Sequence, residues 1–171
     1  MTNELADLKR RIAALEDVSA IKELKSRYWS SLDRQRFDDV RACFVAKGAV
    51  IDMEGIPRCE DREAFLRIIT DQGGRPGVYN MHHGHNARIT LTGSDTAAGM
   101  WDSFFYGIDV GTRTTIQLSG EYDDLYVRDQ GRWWIKTMKF RQTSFLMQKV
   151  DDMGQPTIVS LGEANLQAFG N

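Results

Sequence analysis

Cysteine and proline are scarce in this chain of 171 residues, which holds two of the first and three of the second. Cys43 and Cys59 lie far apart with no Cys-x-x-Cys spacing. That argues against a disulfide framework or a zinc site and suits reduced thiols acting as small core residues in a cytoplasmic protein. An excess of either charge is also missing. A net charge of -2 with mixed signs leaves no basic stripe to neutralise phosphates, so neither nucleic acid nor an anionic membrane surface is an expected partner. Nowhere do about 18 apolar residues run together. The amino terminus, MTNELADLKRRIAALED, is charged and amphipathic without an apolar signal core, so neither export nor anchoring is expected. Histidine is rare as well: His82, His83 and His85 are all there are, and all three fall within MHHGHN.

What is present is ordinary for a folded domain. An apolar fraction of 42% and a charged fraction of 27%, without low-complexity segments, predict one domain over residues 1–171, residues 149–171 forming a carboxyl-terminal tail. A chain of this length buries roughly two thirds of its unfolded surface. Leu5, Leu8, Ile12 and Leu15, then Val18, Ile21, Leu24, Tyr28 and Leu32, recur at helical steps and predict a helical hairpin or one bent helix. Phe37, Val40, Cys43 and Phe44 add a short helix, KGAVIDMEG reads as a strand, and DREAFLRIIT as another helix. From about residue 80 the pattern is β-branched and aromatic. Turn signals at TGSDT and RDQGR separate strands near 80–92, 95–107, 112–128 and 132–148, and LGEANLQAF reads as a short terminal helix. Helices followed by one curved sheet make an α+β fold in which the helices cover one sheet face and enclose a pocket. Aromatics on both sheet faces, among them Trp101, Phe104, Phe105 and Tyr106, suit helix packing on one side and a ligand or a second subunit on the other.

Side chains alternate along a strand, so His83 and His85 share one face and His82 takes the other with Gly84. His-x-His on a strand is a metal-binding geometry, but no third ligand stands at a telling spacing, and a metal is not expected. A working base near neutral pH needs a carboxylate to fix its tautomer. Asp33 borders the apolar arc of the first helix, where it either serves that purpose or pairs with Arg34 or Arg36. Asp102, between Met100 and Phe104 on a half-buried strand, must be paired. It either orients a histidine, binds substrate or holds a structural arginine. On the last long strand, alternation groups Trp133, Ile135, Thr137, Lys139 and Arg141. With the first two in the core, the cations point inward further along, where a positive charge either stabilises a developing anion or, more commonly, forms a salt bridge at the pocket rim.

RYWSSLDRQRFDDVRACF, GAVIDMEG with DREAF, MHHGHNARITLTGSDTAAG and GRWWIKTMKF together resemble the SnoaL-like branch of the NTF2-like superfamily, over residues 5 to 147. The resemblance implies an α+β cone with an internal pocket. Its catalytic members include scytalone dehydratase, bile acid 7α-dehydratase, hexachlorocyclohexane dehydrochlorinase, polyketide cyclases and ketosteroid isomerase. In the eliminating enzymes a helix Asp orients a strand His that acts as general base, and Asp33 and His82 fall at the matching places. Tyr28 stands where the bile acid dehydratase has Tyr and the dehydrochlorinase Lys, which favours an oxygen leaving group. Asp102 and Arg141 match an Asp and an Arg of the dehydratase, with Lys139 competing for the place of the cation.

The resemblance therefore implies a cofactor-independent lyase that eliminates water, or formaldehyde by carbon–carbon cleavage, from a hydrophobic cyclic or aromatic molecule. His82, Asp33, Tyr28 and Arg141 are the catalytic candidates; Asp102, Lys139, Trp101, Phe104 and Tyr106 are the substrate-binding ones. A homo-oligomer is expected, a trimer before a dimer. The alternative is a non-catalytic binding or accessory subunit, as in aromatic-ring dioxygenases, with a filled or shallow cone.

Overall fold

The computed structural model describes residues 2–162. Its first element is a single helix, α1 (Thr2–Asp33), rather than a hairpin or a bent helix. The apolar stripe does not require a bend because it changes sides: Ile21 lies nine residues, or about 180° at 100° per residue, around the helix from Ile12. Ile21, Leu24 and Tyr28 are fully buried, whereas Leu5, Leu8, Ile12 and Leu15 are exposed. Gln35, in the left-handed region at φ 54°, turns the chain out of the helix. There α2 (Phe37–Arg41) begins, followed by β1 (Val50–Met53) and α3 (Arg62–Gly73). The α3 start is capped by Asp61, whose carboxylate accepts from the Ala64 amide at 2.7 Å.

Five further strands complete the sheet: β2 (Val78–Leu91), β3 (Thr96–Asp109), β4 (Thr114–Asp129), β5 (Arg132–Val150) and β6 (Pro156–Gly162). Their order is β1-β5-β4-β3-β2, with β6 also on β5. The first half of β5 pairs with β1 in parallel and its second half with β6 antiparallel, so the sheet is mixed. The strand β6 lies inside the segment expected as tail. Of the terminal helix expected over LGEANLQAF, Leu161 and Gly162 end this strand and the remainder falls outside the described residues. The β4–β5 hairpin turns at Gln130 and Gly131, both at positive φ, the conformation a tight two-residue hairpin needs.

Helices and the inner sheet face meet in one core that includes Tyr28, Phe44, Phe65, Trp101, Tyr126, Ile135 and Met138. Cys43 and Cys59 are buried free thiols within it. No helix among the described residues is long and apolar enough to cross a membrane.

Candidate active site

The strand β2 is an edge of the sheet, so the backbone on its far side has no neighbouring strand to bond. The end of α1 supplies the missing acceptor. The Asp33 carboxylate accepts from the His82 backbone amide through both oxygens, at 3.1 Å and 3.1 Å, and meets the His82 ring at 2.6 Å through Nδ1. With Nδ1–H donating to Asp33, the lone pair sits on Nε2, which makes no hydrogen bond with a described residue. The neighbouring arginines do not compete for Asp33: Arg34 bonds Ser30, and Arg36 lies nearest Asp39 at 3.4 Å.

His82 points inward, its ring centroid 4.7 Å from that of Phe105, and it lines a cavity of about 640 Å³ between the helices and the sheet. Tyr28, Leu32, Phe37, Phe105, Phe140 and Phe145 give this cavity an apolar wall, and Ser103, Asn80 and Gln142 are among its polar groups. Tyr28 is fully buried, and its hydroxyl lies beside Tyr122 without an aligned hydrogen bond. Burial first, then Tyr122 and Asp124, pushes this phenol well above its ordinary pKa. It therefore stays protonated. His83 and His85 lie on the opposite face with ring centroids 6.1 Å apart. Among the described residues no three His, Cys, Asp or Glu side chains gather to hold a metal.

The glycine of MHHGHN has a packing reason. A Cβ on Gly84 would stand 2.0 Å from Cζ3 of Trp29, whose ring is held edge-on by Trp101 and Tyr122 at 5.4 Å and 5.7 Å. Gly84→Ala is expected to cost about 1–3 kcal/mol, read as a lower Tm in thermal denaturation. An unchanged Tm would show that α1 and β2 are not locked at this point.

Two expectations about the cations are corrected. Leu125 pairs with Thr137 but Tyr126 with Ile135, so Lys136 is an extra residue, a bulge that inverts the alternation of β5. Trp133 and Ile135 face the core, and beyond the bulge the inward residues are Met138 and Phe140. Lys139 and Arg141 consequently face outward. Arg141 bonds Asp52 at 2.8 Å, with its side chain 57% exposed. Gln142 keeps the inward side of Met138 and Phe140, and a second bulge, at Thr143 between the Gly120–Gln142 and Ser119–Ser144 pairs, returns the odd-numbered Phe145, Met147 and Lys149 to the cavity side. The cations lining the cavity are Arg75, which holds Asp109 at 2.8 Å, and Lys149. Arg141→Ala and Lys139→Ala are accordingly expected to leave turnover within about twofold, since an exposed ion pair is worth roughly 0–1 kcal/mol. Steady-state kinetics of both variants would reveal any larger loss.

The strand β3 corrects four more. Trp101 is core, and its inward-facing neighbours by strand alternation are Ser103 and Phe105. Asp102, Phe104 and Tyr106 therefore fall on the outer face. Asp102 accepts from Asn86 at 2.5 Å and lies 3.8 Å from Arg88, the last of the three roles considered for it. Trp101 is 5% exposed and donates to the Tyr126 hydroxyl at 3.0 Å. It borders a smaller cleft of about 350 Å³ on the α1–β2 side, shared with Asp33 and His82, rather than the large cavity.

A family model for the SnoaL-like domain matches residues 13–139. The chain belongs to the SnoaL-like family. Among solved structures, this SnoaL-like chain is similar to a type-2 hexachlorocyclohexane dehydrochlorinase, LinA, at 19% identity (91% of this chain, 98% of that one, TM-score 0.72). The LinA-type3 dehydrochlorinase of Novosphingobium barchaimii is 21% identical (92% and 98%, TM-score 0.70). A scytalone dehydratase-like protein of Novosphingobium aromaticivorans is 19% identical (89% and 95%, TM-score 0.71). At these identities the likeness establishes the cone fold.

One cluster escaped the sequence reading. Lys25 and Asp124, both fully buried, form an ion pair at 2.6 Å. Tyr126 donates to the same Asp124 oxygen at 2.7 Å, and the Lys25 ammonium sits 3.7 Å from the Tyr122 ring centroid. Burial lowers the pKa of Lys25 and raises that of Asp124, in each case against the attraction of its partner. A signal was present: Lys25 lies within the apolar arc set by Ile21, Leu24 and Tyr28, and Asp124 alternates in step with Tyr122 and Tyr126.

Proposed function

We propose that this protein is a cofactor-independent lyase acting on a hydrophobic cyclic or aromatic small molecule, with His82 as general base. The observation that carries the reading is the Asp33–His82 contact at 2.6 Å on the wall of a largely apolar cavity. Asp33 holds the ring in the tautomer that leaves Nε2 basic. In this reading Nε2 takes a proton from a substrate carbon, the C–H electron pair becomes the new double bond, and the neighbouring C–O bond breaks. Tyr28 hydrogen-bonds the departing oxygen. The oxygen leaves as water once it has gained the proton, so substrate is converted to alkene and water with no external reagent.

Loss of formaldehyde begins at the same base: the hydroxyl O–H electron pair becomes the C=O of formaldehyde, the carbon–carbon bond breaks, and the electron pair left on the remaining carbon takes up the proton held on Nε2. An open cavity of this size is not what a non-catalytic module with a filled cone predicts. Phe104 and Tyr106, on the outer sheet face, belong in this reading to a subunit contact of a homo-oligomer, for which the family resemblance suggests a trimer.

The test is a screen of cyclic and aryl alcohols and diols, scored by mass spectrometry for loss of water and by a formaldehyde assay. Tyr28→Phe should lower kcat on any substrate found by about tenfold or more, the worth of one hydrogen bond to developing charge. It should not destabilise the fold, because that hydroxyl is unpaired in it. Full activity in Tyr28→Phe would remove Tyr28 from the leaving-group role.

A further inference from the structure

The first four turns of α1 stand clear of the domain. Residues 3–13 are exposed throughout. The first grip of the body on the helix is at Asp17, which accepts from Arg128 at 2.9 Å and from the Trp133 indole at 2.8 Å. A free helix of this length is marginal in water, yet this one carries Leu5, Leu8, Ile12 and Leu15 at 55%, 46%, 54% and 70% exposure. Their spacing of three, four and three residues is the a and d pattern of a two-stranded coiled coil. The seam faces away from the domain, since Ile12 and the buried Ile21 are about 180° apart around the helix.

We infer that residues 5–15 pair with the same segment of a second copy of this chain, in parallel, as a short coiled coil. The charges flanking the seam argue for that occupant. Glu4 and Arg11 precede the a positions, and Lys9 and Glu16 follow the d positions. In a parallel pair Glu4 meets Lys9 of the second copy and Arg11 meets Glu16, with no like charges opposed. None of these four side chains has an ion-pair partner among the described residues, whereas Asp7 and Arg10, away from the seam, bond each other at 2.8 Å. Ile at one a position with Leu at both d positions is the two-stranded parallel preference. Because each body lies on the far side of its own helix, two copies meet along the seam without their bodies colliding.

The experiment is sedimentation velocity of the full chain over a concentration series. Leu8→Asp with Ile12→Asp is expected to reduce the assembly to half the wild-type mass. Glu4→Lys is expected to weaken association several-fold, and adding Lys9→Glu to restore it. An antiparallel pair sets Glu4 against Arg11 and Lys9 against Glu16. There the Glu4→Lys/Lys9→Glu exchange would oppose like charges at both places, so failure of the rescue overturns the parallel arrangement. As a readout independent of folding, Leu8→Cys should oxidise to a disulfide-linked dimer while Arg10→Cys, on the opposite side of the helix, does not. Equal mass for wild type and Leu8→Asp/Ile12→Asp, as when the chain's own carboxyl-terminal residues or another protein cover the stripe, overturns the inference. So does a Leu8→Cys chain that stays uncrosslinked.

Discussion

His82→Ala is expected to lower kcat/KM by about 10²- to 10⁴-fold, the contribution of a positioned base, on whichever substrate the screen identifies. The variant loses the ring that lines the cavity. It keeps the residue-82 backbone amide, and with it the double hydrogen bond that fastens β2 to Asp33. Tm should therefore change little, and the loss should appear in turnover rather than in folding. Asp33→Asn separates orientation from proton transfer: the amide occupies the same space without the charge that stabilises the protonated ring. A smaller loss than that of His82→Ala is expected, confined mainly to kcat. If His82→Ala kept most of its activity, the base would have to lie elsewhere and the elimination mechanism would fail with it.

Lys25→Met should unfold the protein at a markedly lower temperature. It strands the Asp124 carboxylate, fully buried and with Oδ1 already unpartnered, in an interior that solvates charge poorly. Removing one member of such a pair costs about 3–5 kcal/mol, which is roughly 10 °C in Tm for a chain of this size. The sign of the pH dependence follows from the direction of the shift. Burial already raises the Asp124 pKa above its unfolded value, and without Lys25 it rises further. The folded variant then holds a proton that the unfolded chain releases, so the deficit is absent below the unfolded pKa and complete above the folded one. Thermal denaturation of Lys25→Met at acidic and mildly alkaline pH should show the gap from wild type widening with pH. Adding Asp124→Asn, which keeps a partner for the Tyr126 hydroxyl, should recover most of the loss. A Tm within two or three degrees of wild type across that range would mean that Lys25 and Asp124 are both neutral in the folded protein, with no ion pair to break. The effect bears on function because Lys25 lies against the rings of Tyr28 and Tyr122, two residues of the cavity wall.

The candidate site was legible in part, for reasons that differ residue by residue. That His82 parts company with His83 and His85 follows from alternation alone, and that Asp33 is its partner came from the family motif, since nothing local links residues so far apart. The same alternation misled on β5, where Lys136 is one residue too many and the side chains from there to the second bulge at Thr143 change sides. A bulge of this kind is set by the pairing with β4 and leaves no mark in the sequence of β5. On β3, aromatic residues occupy both faces, so hydropathy cannot say that Phe105 looks into the cavity while Phe104 and Tyr106 look out.

Taken alone, the chain determined what short-range sterics and periodicity control: the helical character of the first third, the hairpin at Gln130 and Gly131, the run of long strands, and the segregation of one histidine from two. The tertiary structure decided what depends on register and on distant partners. It set which face of β5 is inner after its bulges, and it paired Lys25 with Asp124 across the core. It also gave the edge of β2 an acceptor in Asp33. Those choices lie outside the sequence pattern because each is made by a strand or helix many residues away, where burial and hydrogen bonding, rather than local propensity, select among arrangements that the sequence leaves equally open.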